Sequence, residues 1–167
     1  MRQHLLLWAN RMDQLNQRIA HAVRWLALLM VAITVVVVIL RYAFNVGAIV
    51  LHESVMYMHG TLFLLGIAYG IGQDTHVRVD LVYSNLSAQR KRWVNLGGHV
   101  LFLFPVSLLI FITSWPYVDA SWRVFEGSSE VDGIQGIFLL KSLLPIMAGL
   151  LLLQGLSQIA RDWLPKE

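Results

Sequence analysis

Four long runs of apolar residues alternate with shorter polar segments along the chain. These runs predict membrane spans at about residues 23–41, 54–73, 94–118 and 136–160. A helix needs about 20 mostly apolar residues to cross the hydrocarbon core of a bilayer, because each residue adds about 1.5 Å to its length. The pattern therefore predicts a single membrane domain, residues 1–167, with four transmembrane helices.

Residues 1–21 show a different pattern, in which apolar and polar positions mix with helical periodicity. Leu5, Trp8, Met12, Leu15 and Ile19 recur at spacings of three and four, which places them on one face of a helix. Because this segment leads directly into the first span, we expect a helix lying in the membrane interface rather than a secretory signal. A coiled-coil or soluble packing helix is the alternative. The predicted fold class is all-α integral membrane, with four spans plus an N-terminal amphipathic interfacial helix.

The composition excludes several function classes. Hydrophobic residues make up 57% of the chain and charged residues 14%, whereas a soluble domain has about 25% charged residues. This argues against a water-soluble enzyme. The chain has no cysteine, so thiolate zinc sites and iron–sulfur clusters are excluded. The net charge of +3 comes from basic residues beside apolar runs, which indicates membrane topology and no nucleic-acid partner.

Lysine and arginine are unevenly distributed between the segments that connect the spans. With a cytoplasmic N-terminus, ten of the 13 positive charges face the cytoplasm, two face outwards and Lys141 lies within span four. Positive charges concentrate on the cytoplasmic side of membrane proteins. We therefore expect both termini to be cytoplasmic and the loop after span three, which is acidic, to face outwards.

Charged residues in or near a bilayer are the first candidates for function. Glu53 opens span two, and Lys141 lies one or two turns inside span four. With the predicted topology both lie toward the outer side. An ion pair between them is one interpretation, and separate contact of each with water is the other.

The six histidines raise an alternative function, the membrane anchor of a haem-containing redox complex. A bis-histidine haem needs two imidazoles at similar depth on facing helices, and His59 has no counterpart at its depth. His21, His76 and His99 cluster toward the cytoplasmic interface, where water or backbone partners are the simpler interpretation. We therefore predict no cofactor and no metal site.

Other motifs point to helix packing rather than to chemistry. Gly66 and Gly70 form a GxxxG spacing within span two, which permits close approach of a second membrane helix. The sequence has no nucleophile elbow, phosphate-binding loop or zinc-protease motif, so we predict no catalytic residue and no enzyme. Transporters commonly place their substrate between inverted repeats. Four spans without a detectable repeat are too few for that, and we expect a partner subunit.

Several motifs together resemble a known family. Span one ends in Arg41-Tyr42-Ala43-Phe44-Asn45, Glu53 opens span two, span two contains Phe63-Leu64-Leu65-Gly66-Ile67-Ala68-Tyr69, and the next loop reads His76-Val77-Arg78-Val79-Asp80. With both ends inside, this chain resembles the small membrane subunit, of DctQ type, of tripartite ATP-independent periplasmic (TRAP) transporters. The chain also resembles one branch of this family at six further positions, which are Glu126, Ser129, Glu130, Lys141, Pro145 and Gln154. The sequence departs from many relatives at His59, where they have an aromatic residue.

The resemblance implies a role rather than a site. Small subunits of this family bind a large permease subunit, which carries the substrate and sodium sites, while a periplasmic binding protein delivers an organic acid. The expected location is the bacterial inner membrane, and the expected role is a scaffold that also contacts membrane lipids. The candidates for structural and interface roles are Arg41, Tyr42, Asn45, Glu53, Gly66, Gly70, His76, Arg78, Asp80, Glu126, Glu130, Lys141 and Gln154.

Overall fold

The computed structural model describes residues 2–73 and 86–163, and all regular structure within them is helical. The elements are α1 (Arg2–Val23), α2 (Trp25–Ala43), α3 (Ile49–Gly72), α4 (Ala88–Gly98), a π-helical turn (His99–Leu103), α5 (Phe104–Arg123) and α6 (Ile137–Trp163). Four helical stretches, containing α2, α3, α4 with α5, and α6, are long and apolar enough to cross a membrane. This confirms the predicted all-α membrane class with four spans, and α1 is a separate amphipathic helix before them.

The bundle has two ends, which we name by their contents. The loop end holds the turn at residues 44–48 and the loop at residues 124–136, which we call the α5–α6 loop. The α1 end holds the polar contacts of α1, the last turn of α3 and the C-terminal half of α6. The helix containing α4 begins earlier than the predicted third span, because the Ser87 side chain accepts a hydrogen bond from the Arg90 N–H at 3.4 Å and caps the helix. Hydropathy marks only the apolar part of a helix, so this polar first turn was missed.

Helix α6 is the centre of the bundle. Eight of its residues are buried, whereas α3 has one buried residue and α2 has none. Ala68 of α3 joins Met147, Leu150 and Leu151 of α6 in the apolar core. Helices α3 and α6 run in parallel, and the Gln158 side chain donates to the carbonyls of Ile71 and Gly72 at 3.2 and 3.0 Å. The last carbonyls of α3 therefore gain partners from α6 that their own helix cannot supply.

Small polar residues bring α5 against α6. Ser107, Ser114 and Ser121 are all buried and are spaced seven residues apart, so they share one face of α5. Serine lets two membrane helices approach closely because its side chain is short. The contact then extends to the loop end, where the Trp122 ring N–H donates to the Ser142 hydroxyl at 2.8 Å.

Candidate functional site

Glu53 anchors the α5–α6 loop to the start of α3. Its Oε2 accepts the Ile134 N–H at 2.6 Å, and its Oε1 accepts the hydroxyl of Ser128. One turn later on the same helix, the Tyr57 hydroxyl donates to the Ile134 carbonyl at 3.4 Å. Both oxygens of the Glu53 carboxylate are therefore used to hold two points of the loop, and the loop is folded onto the bundle.

Lys141 pairs with Glu126, so the predicted ion pair between Glu53 and Lys141 is wrong. The Lys141 ammonium contacts the Glu126 carboxylate and lies 4.1 Å from the centre of the Tyr117 ring. The fold of the loop explains the difference, because it brings an acidic residue of its own over the first turns of α6. Glu53 and Lys141 therefore have separate protein partners at the loop end.

The electrostatics of the loop depend on this pair. The hydrogen bond from Lys141 lowers the pKa of the Glu126 carboxyl from its ordinary value of 4.5. A carboxyl whose pKa is lower in the folded chain than in the unfolded chain stabilises the fold above its ordinary pKa. The stability that Glu126 contributes is lost as the pH falls through its lowered pKa. At neutral pH Glu126 is therefore ionised and keeps its contact with Lys141.

A cleft of about 510 Å³ opens beside the loop, and four of the residues singled out in the sequence line it. Its walls are the end of α2, the turn at 44–48, the start of α3 and the α5–α6 loop. The predicted residues that line it are Arg41, Asn45, Glu53 and Glu130. Tyr42, from the same motif, is 82% exposed and lies outside the cleft lining. Residues up to 89 positions apart in sequence are thus brought to one site.

Asn45 shapes the turn that forms one wall of the cleft. Its φ of 54° lies in the left-handed region, which asparagine tolerates better than most residues other than glycine. The turn is closed by the Val46 N–H, which donates to the Leu40 carbonyl at 3.0 Å. The asparagine of the Arg-Tyr-x-Phe-Asn motif therefore ends α2 and redirects the chain into α3.

A second polar cluster, at the α1 end, was largely missed by sequence reasoning. Gln154 is 1% exposed; its side-chain N–H donates to Asp13 at 2.9 Å, and its carbonyl accepts from Asn16 at 2.5 Å. Ser157 donates to Asp13 at 2.8 Å, and Arg161 forms an ion pair with the same carboxylate. We call these five residues the α1 clasp. Only Gln154 was predicted as a candidate, although the spacing 154, 157 and 161 marks a polar stripe on α6.

The contacts of the α1 clasp also orient α1. Asn10 contacts Arg161, Asp13 contacts Ser157, and Asn16 contacts Gln154. Residue numbers rise along α1 as they fall along α6, so the two helices run antiparallel over this stretch. The amphipathic segment is therefore held by polar contacts to the last span as well as by its apolar face.

Gly66 joins neither cluster. A Cβ added at Gly66 would meet nothing within 4 Å, so within residues 2–73 and 86–163 no helix packs closely on it. The close approach to α6 occurs instead at Ala68, which is 0% exposed, and at Gly72, where an added Cβ would lie 2.7 Å from the Gln154 amide nitrogen. His76, Arg78 and Asp80 lie outside the described residues.

We predict that Glu53→Ala releases the α5–α6 loop from the bundle. The substitution leaves the Ser128 hydroxyl and the Ile134 N–H without their acceptor, and the loop loses two of its attachments. Limited proteolysis should then cut residues 124–136 at least about tenfold faster than in the parent chain, as expected when each charged hydrogen bond contributes about 1.5–3 kcal/mol. Asp119→Ala is the control, because in the described part of the chain Asp119 pairs with the exposed Arg123 and not with the loop. Equal cleavage rates in the two variants would contradict the anchoring role.

Comparison with known proteins assigns the family. The family model for tripartite ATP-independent periplasmic transporters, DctQ component, matches residues 30–164. The chain is also similar to a C4-dicarboxylate TRAP transporter small permease protein DctQ of Vibrio cholerae, with 28% identity over 121 residues, which are 71% of this chain and 49% of the relative. The chain thus spans about half the length of the curated relative it matches. No solved structure gives a significant match.

Proposed function

The chain belongs to the DctQ family of TRAP transporter components, and from this we propose that it is a scaffold for the large permease subunit. In this proposal the complex takes up an organic acid, delivered by a periplasmic binding protein and driven by a sodium gradient. The family match supports a small permease subunit and lends no support to a haem-containing redox anchor. The reasons for a scaffold come from where the buried and exposed residues lie.

The scaffold proposal rests on the exposure of α2. None of its 19 residues is buried, although it belongs to the most apolar of the four candidate spans. Val31, Val35, Val38 and Ile39 are among its exposed residues. β-branched side chains have little rotamer freedom in a helix, so little entropy is lost when they pack against another helix. Helix α2 therefore offers a rigid apolar surface to the large subunit.

The distribution of polar groups argues against transport by this chain alone. Transporters bind their substrates near the middle of the bilayer. In the described part of the chain, the larger buried or half-buried polar side chains gather in the α1 clasp and beneath the α5–α6 loop. Between these two ends the core consists of the apolar Ala68, Met147, Leu150 and Leu151 and of small buried serines of α5. An apolar core suits a static scaffold, and substrate and sodium sites would then belong to the large subunit.

We propose that the α1 end faces the cytoplasm and the loop end faces the periplasm of a bacterial inner membrane. Of the described cations, Arg11, Arg18, Arg24, Arg90, Lys91, Arg92 and Arg161 lie toward the α1 end of the chain's spans. The loop end has Arg41, Arg123 and Lys141, and the last two are paired with acidic residues. The positive-inside rule then favours cytoplasmic termini.

The scaffold proposal is tested by reconstitution. We expect proteoliposomes containing only this chain to show no sodium-dependent uptake of labelled organic acids above empty vesicles. Vesicles containing the chain together with its large permease subunit, and supplied with the binding protein, should accumulate substrate. Omitting each component in turn provides the controls. Uptake by the chain alone would contradict the scaffold role, as would full uptake by the large subunit and binding protein without it.

A further inference from the structure

Arg41 is an arginine without an ion pair at the edge of the apolar part of the bundle. Arg123, Lys141 and Arg161 each pair with a carboxylate, but Arg41 makes no ion pair within residues 2–73 and 86–163. It lies 16 residues after Trp25, which is about 24 Å along α2. The hydrocarbon core of a bilayer is about 30 Å thick, so the long Arg41 side chain reaches the headgroup layer at the loop end.

The same cleft holds a carboxylate that is also unused. Glu130 lines the cleft from the α5–α6 loop, and among the described residues its carboxylate has no cationic partner. Glu53 also lines the cleft, but its oxygens accept hydrogen bonds from Ser128 and Ile134, and within residues 2–73 and 86–163 it forms no ion pair with Arg41. Besides His52 and Glu53, the cleft therefore presents Arg41 and Glu130, neither of which forms an ion pair among the described residues, on walls formed by different parts of the chain.

The cleft also has an apolar side. Val37, one turn before Arg41 on α2, and Ile49, at the start of α3, line it together with the charged groups. No residue of α2 is buried. The exposed apolar surface of this helix therefore continues from the cleft along the span. The volume of about 510 Å³ is within the range of small-molecule sites.

We propose that this cleft binds the headgroup of a zwitterionic, ammonium-bearing phospholipid, such as phosphatidylethanolamine, from the leaflet at the loop end. The phosphate is recognised by Arg41, whose planar guanidinium suits phosphate oxygens. The ammonium group complements Glu130, and the acyl chains lie along Val37 and the exposed surface of α2. This inference uses only groups of this chain, so the purified chain without the large subunit can test it.

Native mass spectrometry of the purified full chain tests the proposal. The probes are phosphatidylethanolamine and phosphatidylglycerol with identical acyl chains, titrated into the detergent-solubilised protein. We expect Arg41→Gln to weaken binding of phosphatidylethanolamine about tenfold, as loss of a charged hydrogen bond predicts, and Arg41→Lys to weaken it less. Glu130→Gln should abolish the preference for phosphatidylethanolamine over phosphatidylglycerol. Arg123→Gln is the matched control, because this arginine is at the same end but pairs with Asp119.

The possible results separate the proposal from its rivals. Equal affinity of Arg41→Gln and Arg123→Gln for phosphatidylethanolamine would overturn it, as would a parent chain that binds both lipids equally. Soluble glycerophosphoethanolamine distinguishes a lipid from a free headgroup. We expect it not to displace bound lipid, and displacement at equal concentration would assign the cleft to a soluble zwitterion instead. Circular dichroism melting of each variant verifies folding, and Arg41→Lys keeps the test decisive if Arg41→Gln does not fold.

Discussion

Replacing Gln154 by leucine should destabilise the subunit by about 1–3 kcal/mol, the cost of leaving buried hydrogen-bonding groups without partners. The Gln154 side chain is 1% exposed and joins α1 to α6 through both Asp13 and Asn16. Leucine has a similar volume, but its side chain can neither accept nor donate a hydrogen bond. Asn16, which is 2% exposed, would lose the acceptor of its side-chain N–H, and α1 would lose its central attachment.

Thermal unfolding in detergent, followed by circular dichroism, measures this effect. Gln17→Leu is the matched control, because Gln17 is the neighbour of Asn16 but is exposed and outside the α1 clasp. We expect Gln17→Leu to leave the unfolding temperature within the scatter of surface substitutions, which is about ±0.5 kcal/mol in free energy. If Gln154→Leu melts at the same temperature as Gln17→Leu, the α1 clasp contributes nothing to stability.

Replacing Ala68 by leucine should have the second large effect, because it overfills the contact between α3 and α6. Ala68 is 0% exposed and belongs to the apolar core with Met147, Leu150 and Leu151. Three additional carbon atoms at this position force the two helices apart or into strained rotamers. Overpacking of a well-packed core typically costs about 1–3 kcal/mol.

Gly66→Leu is the control for Ala68→Leu, and it also tests the predicted helix-packing face. A Cβ at Gly66 meets nothing within 4 Å, so the isolated chain should tolerate leucine there. We expect monodisperse protein and an unchanged unfolding temperature for Gly66→Leu, and aggregation or a lower unfolding temperature for Ala68→Leu. The opposite order would mean that the GxxxG spacing, rather than Ala68, packs against α6. Reduced co-purification of Gly66→Leu with the large subunit would place this glycine at the subunit interface.

The helices were predictable because hydropathy reports directly on burial in a membrane. Apolar runs of about 20 residues located the four spans, and the mixed periodicity of residues 1–21 separated α1 from α2. The polar first turn of α4 was missed, since a capping serine and charged residues extend a helix without adding hydropathy. The family resemblance named Arg41, Asn45, Glu53 and Glu130, which share one cleft, but motif positions alone do not show that they meet.

The pairing of charges could not be predicted, because it depends on how the α5–α6 loop folds. Glu53 and Lys141 have opposite charges and both lie in or next to predicted spans at the loop end, so the predicted topology suggested that they pair. The loop instead supplies Glu126 to Lys141, and Ser128 with the Ile134 N–H to Glu53. Backbone N–H groups are strong donors at every position of a loop, so sequence cannot indicate which of them a carboxylate will bind.

The sequence by itself determined the membrane class, the number of spans, the separate amphipathic helix and the family resemblance. These follow from local properties, since hydropathy and periodicity act over one helix and motifs over a few residues. Only the tertiary structure decided that α6 is the central helix, that Asp13 and Asn16 fasten α1 to it, and that Arg41 and Glu130 share a cleft. In four apolar helices almost every face is equally suited to lipid, so hydropathy cannot rank them. The few polar contacts and small residues that choose between these faces join positions distant in sequence, and only the packed chain brings them together.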